Sequence, residues 1–281
     1  MPKINSEELF LYWIRERLSI KKKKDNGDPK PWTEDPILQK YKFCNVRRMD
    51  DRVSDWLVKN WYTPRDIPSA TFLTAATLAR QLNNIDSLSE VGFPMRWDPC
   101  RYKGILEDRQ NRGLTNFSAA YMITGTLGGS KVEQIVDKVV TPIHKYRKEI
   151  WQQAGKGQSI EQLWRVLLNF AGFSSFIAGQ VTADLRHAID APWEDKDVWA
   201  PIGPGSVRGL NRLLNRELHQ IVRQPEFDST LPNIISMVKS NVEGTEHLEA
   251  IDVQNCLCEY DKYMRTLSGE GRPKQKYPGA A

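Results

Sequence analysis

Apolar residues recur every three or four positions along most of this chain, and no period-two alternation of convincing length interrupts them. Leu9, Phe10, Trp13 and Ile14 keep helical spacing behind Ser6-Glu7-Glu8, which reads as an N-cap followed by an acidic first turn. The spacing predicts further helices over residues 53–61, 69–82, 116–123 and 131–151, the second burying Phe72, Leu73, Ala76, Leu78 and Ala79. Gly128-Gly129-Ser130 caps the fourth. Ser159 opens the longest pattern, with Ile160, Leu163, Trp164, Leu167, Leu168 and Ala171 in register until Gly172 breaks it. Residues 176–185 and 250–266 give two more helices. In the last, Val253, Cys256, Leu257 and Tyr260 form an apolar stripe, with Glu259, Asp261 and Lys262 around the polar side. Residues 93–112 show no period and read as an irregular charged loop. The expected fold is mainly α.

Between the last two segments, Gly203-Pro204-Gly205 leads into a basic amphipathic helix. Glycines two apart permit positive φ and the close approach of another chain. The N–H groups that follow are helix-terminal donors suited to a phosphate oxygen. Gly209 allows close packing against the preceding helix, and Arg208 and Arg212 share one face. Gly203, Gly205, Ser206, Arg208 and Arg212 are therefore the candidate contacts to a DNA backbone. The plainer alternative is a helix connection with a basic, solvated face.

A second charged cluster places Arg47, Arg48 and Arg52 beside Asp50 and Asp51. Guanidiniums at this density can grip phosphates bidentately while the carboxylates hold them. An exposed, salt-bridged helix explains it less well, because Arg48 and Arg52 form a like-charged i, i+4 pair. Lys21 to Lys24 end the first helix, either as a solvated terminus or as a contact to a nucleic-acid backbone.

Composition narrows the chemistry. At 281 residues the chain fits one helical domain over residues 1–268, or two interleaved lobes, with residues 269–281 as a flexible tail. Its net charge of +5 is mild, so partners depend on where the charge sits. Nine Trp suit stacking surfaces as well as a core. The four cysteines lack zinc spacing, and the four histidines lie in unrelated contexts without a nucleophile elbow. No metal site is expected from these residues. No apolar run reaches the roughly 20 residues of a membrane helix, and no secretory signal is expected at the N-terminus.

Several separated motifs carry a resemblance. The stretch from Phe10 to Arg17, Lys30 to Leu38, Phe43 to Arg52, Gln180 to Arg186, Gly203 to Arg212 and Leu257 to Tyr263 are similar, in that order, to the phage thymine-hypermodification family. That family comprises the α-glutamyl/putrescinyl thymine pyrophosphorylases and amino acid:DNA transferases, and it resembles the helical domain of 5-hydroxymethyluracil DNA kinases. The resemblance implies a DNA-glycosylase-like helical fold with a helix-hairpin-helix-like element. It implies that an amino acid, glycine among the candidates, or a polyamine displaces pyrophosphate from pyrophosphorylated 5-hydroxymethyluracil in DNA. A partner kinase would act upstream, in the cytoplasm of an infected bacterial host. Arg47, Arg48, Arg52 and Lys262 would neutralise the pyrophosphate, with a divalent cation such as Mg as an optional helper. Asp184, Asp261 or Asp51 would deprotonate the amine. The alternatives are a non-catalytic DNA-binding helical module that partners such a kinase, and a DNA glycosylase or lyase.

Overall fold

The computed structural model describes residues 5–63, 67–118, 127–155, 158–189 and 193–277. In chain order its helices are α1 (Ser6–Asp25), α2 (Pro36–Lys40), α3 (Arg52–Trp56), α4 (Ser69–Leu82), α5 (Ile85–Val91), α6 (Pro99–Asn111) and α7 (Lys131–Glu133). They continue with α8 (Thr141–Ile150), α9 (Ile160–Leu167), α10 (Ser175–Ala188), α11 (Pro204–Leu213), α12 (Gln224–Asn241) and α13 (Ala250–Leu267). The protein is mainly α-helical, and no described helix is long and apolar enough to cross a membrane. The chain forms two compact units, one built from Met1–Asp51 with Lys196–Ala281, the other from Arg52–Asp195.

The second unit is organised on α4, where every residue from Phe72 to Leu82 is buried. Helix α4 packs against α8 and α10. The 131–151 pattern is helical as expected, opened by a reciprocal Ser130–Glu133 capping box, with a π-helical stretch at Gln134–Val140. Three expectations change here. Residues 93–112 contain a helix, α6, capped by the Asp98 side chain on Arg101 N (3.1 Å) with Pro99 in its first turn. Only Tyr102, Leu106 and Arg109 of α6 are buried, too few to make a period visible in sequence. The pattern from Ser159 stops at Leu167 and not at Ala171, and Gly172 takes φ 81°. Asn116 to Ser118 are not helical, and the rest of the 116–123 expectation lies outside the described residues.

The first unit buries Phe10, Trp13 and Ile14 of α1 against Leu210 and Leu213 of α11, and Val253, Cys256, Leu257 and Tyr260 of α13. Helix α1 is capped by Asn5, one residue earlier than expected, with Glu7 and Glu8 in its first turn. Helix α12 adds Phe227, Leu231, Ile234, Ile235 and Val238 to the same core, although Pro232 sits inside it. Proline removes one ladder hydrogen bond and crowds the preceding turn. Burial of five large apolar side chains outweighs that cost, at about 1.5–3 kcal/mol each. Part of the expected tail is anchored in this unit. Lys42 N donates to Gln275 O and Tyr277 N to Lys40 O, both at 3.0 Å, forming an isolated antiparallel bridge at Tyr41 and Lys276.

Candidate functional site

Helix α13 is the axis of the first unit, and two of its faces hold the motifs. On one face lies α11. A Cβ added at Gly209 would collide with the Leu257 carbonyl, and one at Gly205 with Cys258 Sγ. The glycine spacing 205/209 therefore serves backbone-to-backbone helix packing. Neither Gly203, at φ −139°, nor Gly205 takes a positive φ, and the neighbour that Gly209 admits is the later helix α13. Ser206 is fully buried: its Oγ accepts from Gly203 N (3.0 Å) and from Gln254 Nε2 (3.3 Å), so its hydroxyl closes the turn.

Farther along the same interface the charges converge. Arg208 Nε (2.9 Å) and Arg212 Nε (3.0 Å) each donate to one oxygen of Asp261, and Arg265 Nε lies 3.4 Å from it. Arg212 also pairs with Glu270. The Asp261 side chain is 1% exposed, whereas those of Arg208 and Arg265 are 29% and 39% exposed. Asp261 thus lies buried, with positive charge extending from it toward solvent. The sequence reading set Glu259 and Asp261 on a polar side of the helix, but both are buried. Each is needed there as a hydrogen-bond acceptor, which is the condition under which carboxylates are tolerated inside.

On the other face, Asp252, Cys256 and Glu259 recur at i, i+4 and i+7 and hold an extended segment by alternate residues. Glu259 accepts from Cys44 N (2.9 Å), Cys256 Sγ faces Val46 O (3.7 Å), and Asp252 accepts from Arg48 N (2.8 Å). Arg17 of α1 fixes the same segment by donating to Phe43 O (2.9 Å). Asp35 joins the set by accepting from Tyr263 (2.7 Å) and Tyr12 (3.3 Å), with burial and this carboxylate pushing the Tyr12 phenol up to about 12. The motif segments 10–17, 30–38, 43–52 and 257–263 are therefore tied to one another.

That scaffold decides where the arginines sit. Arg48 is buried, with its backbone on Asp252, whereas Arg47 caps the following turn and is exposed. Arg52 is exposed and belongs to the second unit. The three do not form one guanidinium cluster within the first unit. Lys262 pairs with Glu259 and lies 4.9 Å over the Phe43 ring, half-buried. Asp51 is half-buried, 3.5 Å from Asn45 Nδ2.

Asp184 sits in the second unit and meets Arg80 through two bonds, Nε–Oδ2 at 2.6 Å and Nη2–Oδ1 at 2.7 Å. Tyr62 donates to the same carboxylate (2.9 Å), while Arg80 also reaches Asn83 and Ser54 at 3.0 Å. With side chains 4% and 2% exposed, Asp184 and Arg80 form a buried bidentate ion pair. Sequence reasoning passed over Arg80, 104 residues away, because nothing local links the two. It also passed over Arg265, although its i, i+4 spacing from Asp261 was legible.

Two of the thiols beside this segment are held in the unreactive protonated form. Burial and the Glu259 carboxylate raise Cys258 to about 11 and push Cys44 higher still. Among the described residues no three His, Cys, Asp or Glu side chains gather to hold a metal ion.

The family model described as 5-hmdU DNA kinase, helical domain, matches residues 5–272. A 5-hmdU DNA kinase of Bacillus phage SP10 is similar at 23% identity over 290 aligned positions. The match covers 89% of this chain and 44% of that protein, so the chain spans less than half of its relative's length. No solved structure matches.

Proposed function

The chain belongs to the family of the helical domain of 5-hmdU DNA kinases, and from that premise we propose that it acts on phage DNA carrying 5-hydroxymethyluracil. In this reading it transfers an amino acid, such as glycine, or another amine onto the pyrophosphorylated base. The amine nitrogen bonds to the exocyclic methylene carbon, the carbon–oxygen bond to pyrophosphate breaks, and the ammonium proton passes to a carboxylate. Pyrophosphate leaves readily only where its charge is met by fixed cations. The observation that carries the proposal is the set of guanidiniums, Arg208, Arg212 and Arg265, held on one buried carboxylate with two of them partly exposed. Fixed in place before any ligand arrives, they need little reorganisation to meet an anion.

Within this reading, Asp261 positions the arginines. Asp51 is the candidate base, because Asp184 and Asp261 are both turned inward against guanidiniums. Within the first unit, Arg47 is the exposed candidate for pyrophosphate and Lys262 a half-buried one. Arg47→Ala, at an exposed position, should lower the yield of amine adduct about a hundredfold while leaving the thermal melt unchanged. Asp51→Asn should lower it while preserving DNA binding. Adduct yield is read from nucleoside masses after digestion, and full yield in both variants would remove these assignments.

A second reading is favoured by the share of the phage SP10 kinase that this chain spans. A chain matching less than half of a kinase can serve as the DNA-binding helical module that works beside one. In that case DNA is retained and every nucleoside mass is unchanged.

A further inference from the structure

The strongest concentration of charge lies away from α11. Residues 21–42 and 271–277 together hold ten lysines and arginines against four carboxylates, a net of +6 that exceeds the +5 of the whole chain. The isolated bridge between Tyr41 and Lys276 brings these two segments side by side. Two aromatic rings stand at the join. Trp32 and Tyr277 meet edge to face with centroids 5.7 Å apart. Lys24 Nζ lies 5.4 Å from the Trp32 centroid and 5.7 Å from that of Tyr277, Lys30 Nζ at 5.3 and 5.5 Å, and Lys42 Nζ at 5.9 Å from Tyr277.

Three ammonium groups around one pair of rings repel one another. The negative faces of the rings offset this only in part, since an exposed cation–π contact contributes about 0.5–1 kcal/mol. No described carboxylate pairs with Lys24 or Lys42. The rings themselves are held: Trp32 Nε1 donates to Asp28 O and Lys23 Nζ to Trp32 O, both at 2.8 Å, and Tyr277 N donates to Lys40 O. The three lysines are exposed and both rings are half-buried. Aromatic surface flanked by Lys24 and Lys42, with no described carboxylate beside either, matches the two needs of a nucleic-acid strand, stacking for a base and neutralisation for its phosphates.

We propose that Trp32, Tyr277, Lys24, Lys30 and Lys42 form a binding site for single-stranded nucleic acid, with a base on the rings and flanking phosphates on the ammonium groups. This rests on the reading of the chain as a DNA-acting protein and adds to it a strand site separate from the 203–212 stretch. A duplex hides its base faces, so only an unpaired or splayed segment can use the rings.

The test is fluorescence anisotropy of the full chain with a fluorescein-labelled 20-nucleotide oligo-dT and with a duplex of equal length, across a salt series. Loss of two phosphate contacts in Lys24→Gln/Lys42→Gln should flatten the salt slope for oligo-dT by about 1.4 and weaken binding about tenfold at low salt. Tyr277→Leu, which keeps the backbone bridge, should weaken oligo-dT binding with the slope unchanged. Thermal melts establish that both variants are folded. Oligo-dT binding with the same affinity and slope in both variants overturns the strand site and leaves the DNA reading standing. A wild-type chain that binds neither probe overturns both, and one that binds only duplex overturns the stacking of an unpaired base.

Discussion

Asp261 is the residue on which α11 and α13 depend for their charge balance. Asp261→Ala would leave Arg208, Arg212 and Arg265 without their shared acceptor, and because Arg208 and Arg265 are partly solvated and Arg212 keeps Glu270, the cost should fall below the about 3–5 kcal/mol of breaking a fully buried pair. A urea-denaturation midpoint lowered to match, with an unchanged slope, is the expected result. The cysteines give a second check at this scale. Cys100 is exposed, Cys256 is fully buried, and Cys44 and Cys258 are held protonated by burial and Glu259. The thiolate is the reactive form, so at pH 8 iodoacetamide should modify Cys100 first and the other three only on unfolding. Peptide masses over time would show the order. Single-residue chemistry was the least legible part of the sequence. Arg208 and Arg212 could be placed on one face from spacing alone, but their shared partner lies 49 and 53 residues away in sequence. Asp184, read as a candidate base, meets Arg80 across 104 residues, a pairing that local spacing cannot show.

At the scale of elements, Gly205 and Gly209 change meaning. In an exposed helix, Gly→Ala stabilises by about 1 kcal/mol. At Gly209 the new methyl would meet the Leu257 backbone, which cannot swing aside, so the sign should reverse and the melting temperature should fall. At Gly205 the obstacle is mainly the Cys258 side chain. Gly205→Ala should therefore destabilise the wild-type chain and be partly rescued by Cys258→Ala, a coupling that a double-mutant cycle in thermal melts would measure. Loss of DNA binding in a Gly205 variant would report this packing and not a direct contact. Helices with a wide apolar stripe, such as Ser69–Leu82 and Ala250–Leu267, were readable from periodicity. Pro99–Asn111 was not, since it buries so little, and Gln224–Asn241 was passed over despite a regular stripe interrupted by Pro232.

At the scale of the whole molecule, periodicity was enough to give the helical class. The two units were harder to read, because one joins Met1–Asp51 to Lys196–Ala281 across the entire other unit. Pairings such as Cys44 N with Glu259, and Tyr12 and Tyr263 with Asp35, link separated motifs into one scaffold. Mild net charge concealed a local excess, visible only once residues 275–277 were found beside 40–42. Amine transfer to a pyrophosphorylated base is the activity proposed for this scaffold. Its most direct test is to incubate the chain with pyrophosphorylated 5-hydroxymethyluracil DNA and a mixture of amino acids and diamines, count the pyrophosphate released, and weigh the digested nucleosides. Transfer predicts one pyrophosphate released for each base that gains the mass of an amine. Unchanged nucleosides without pyrophosphate release, or abasic sites in their place, would contradict it.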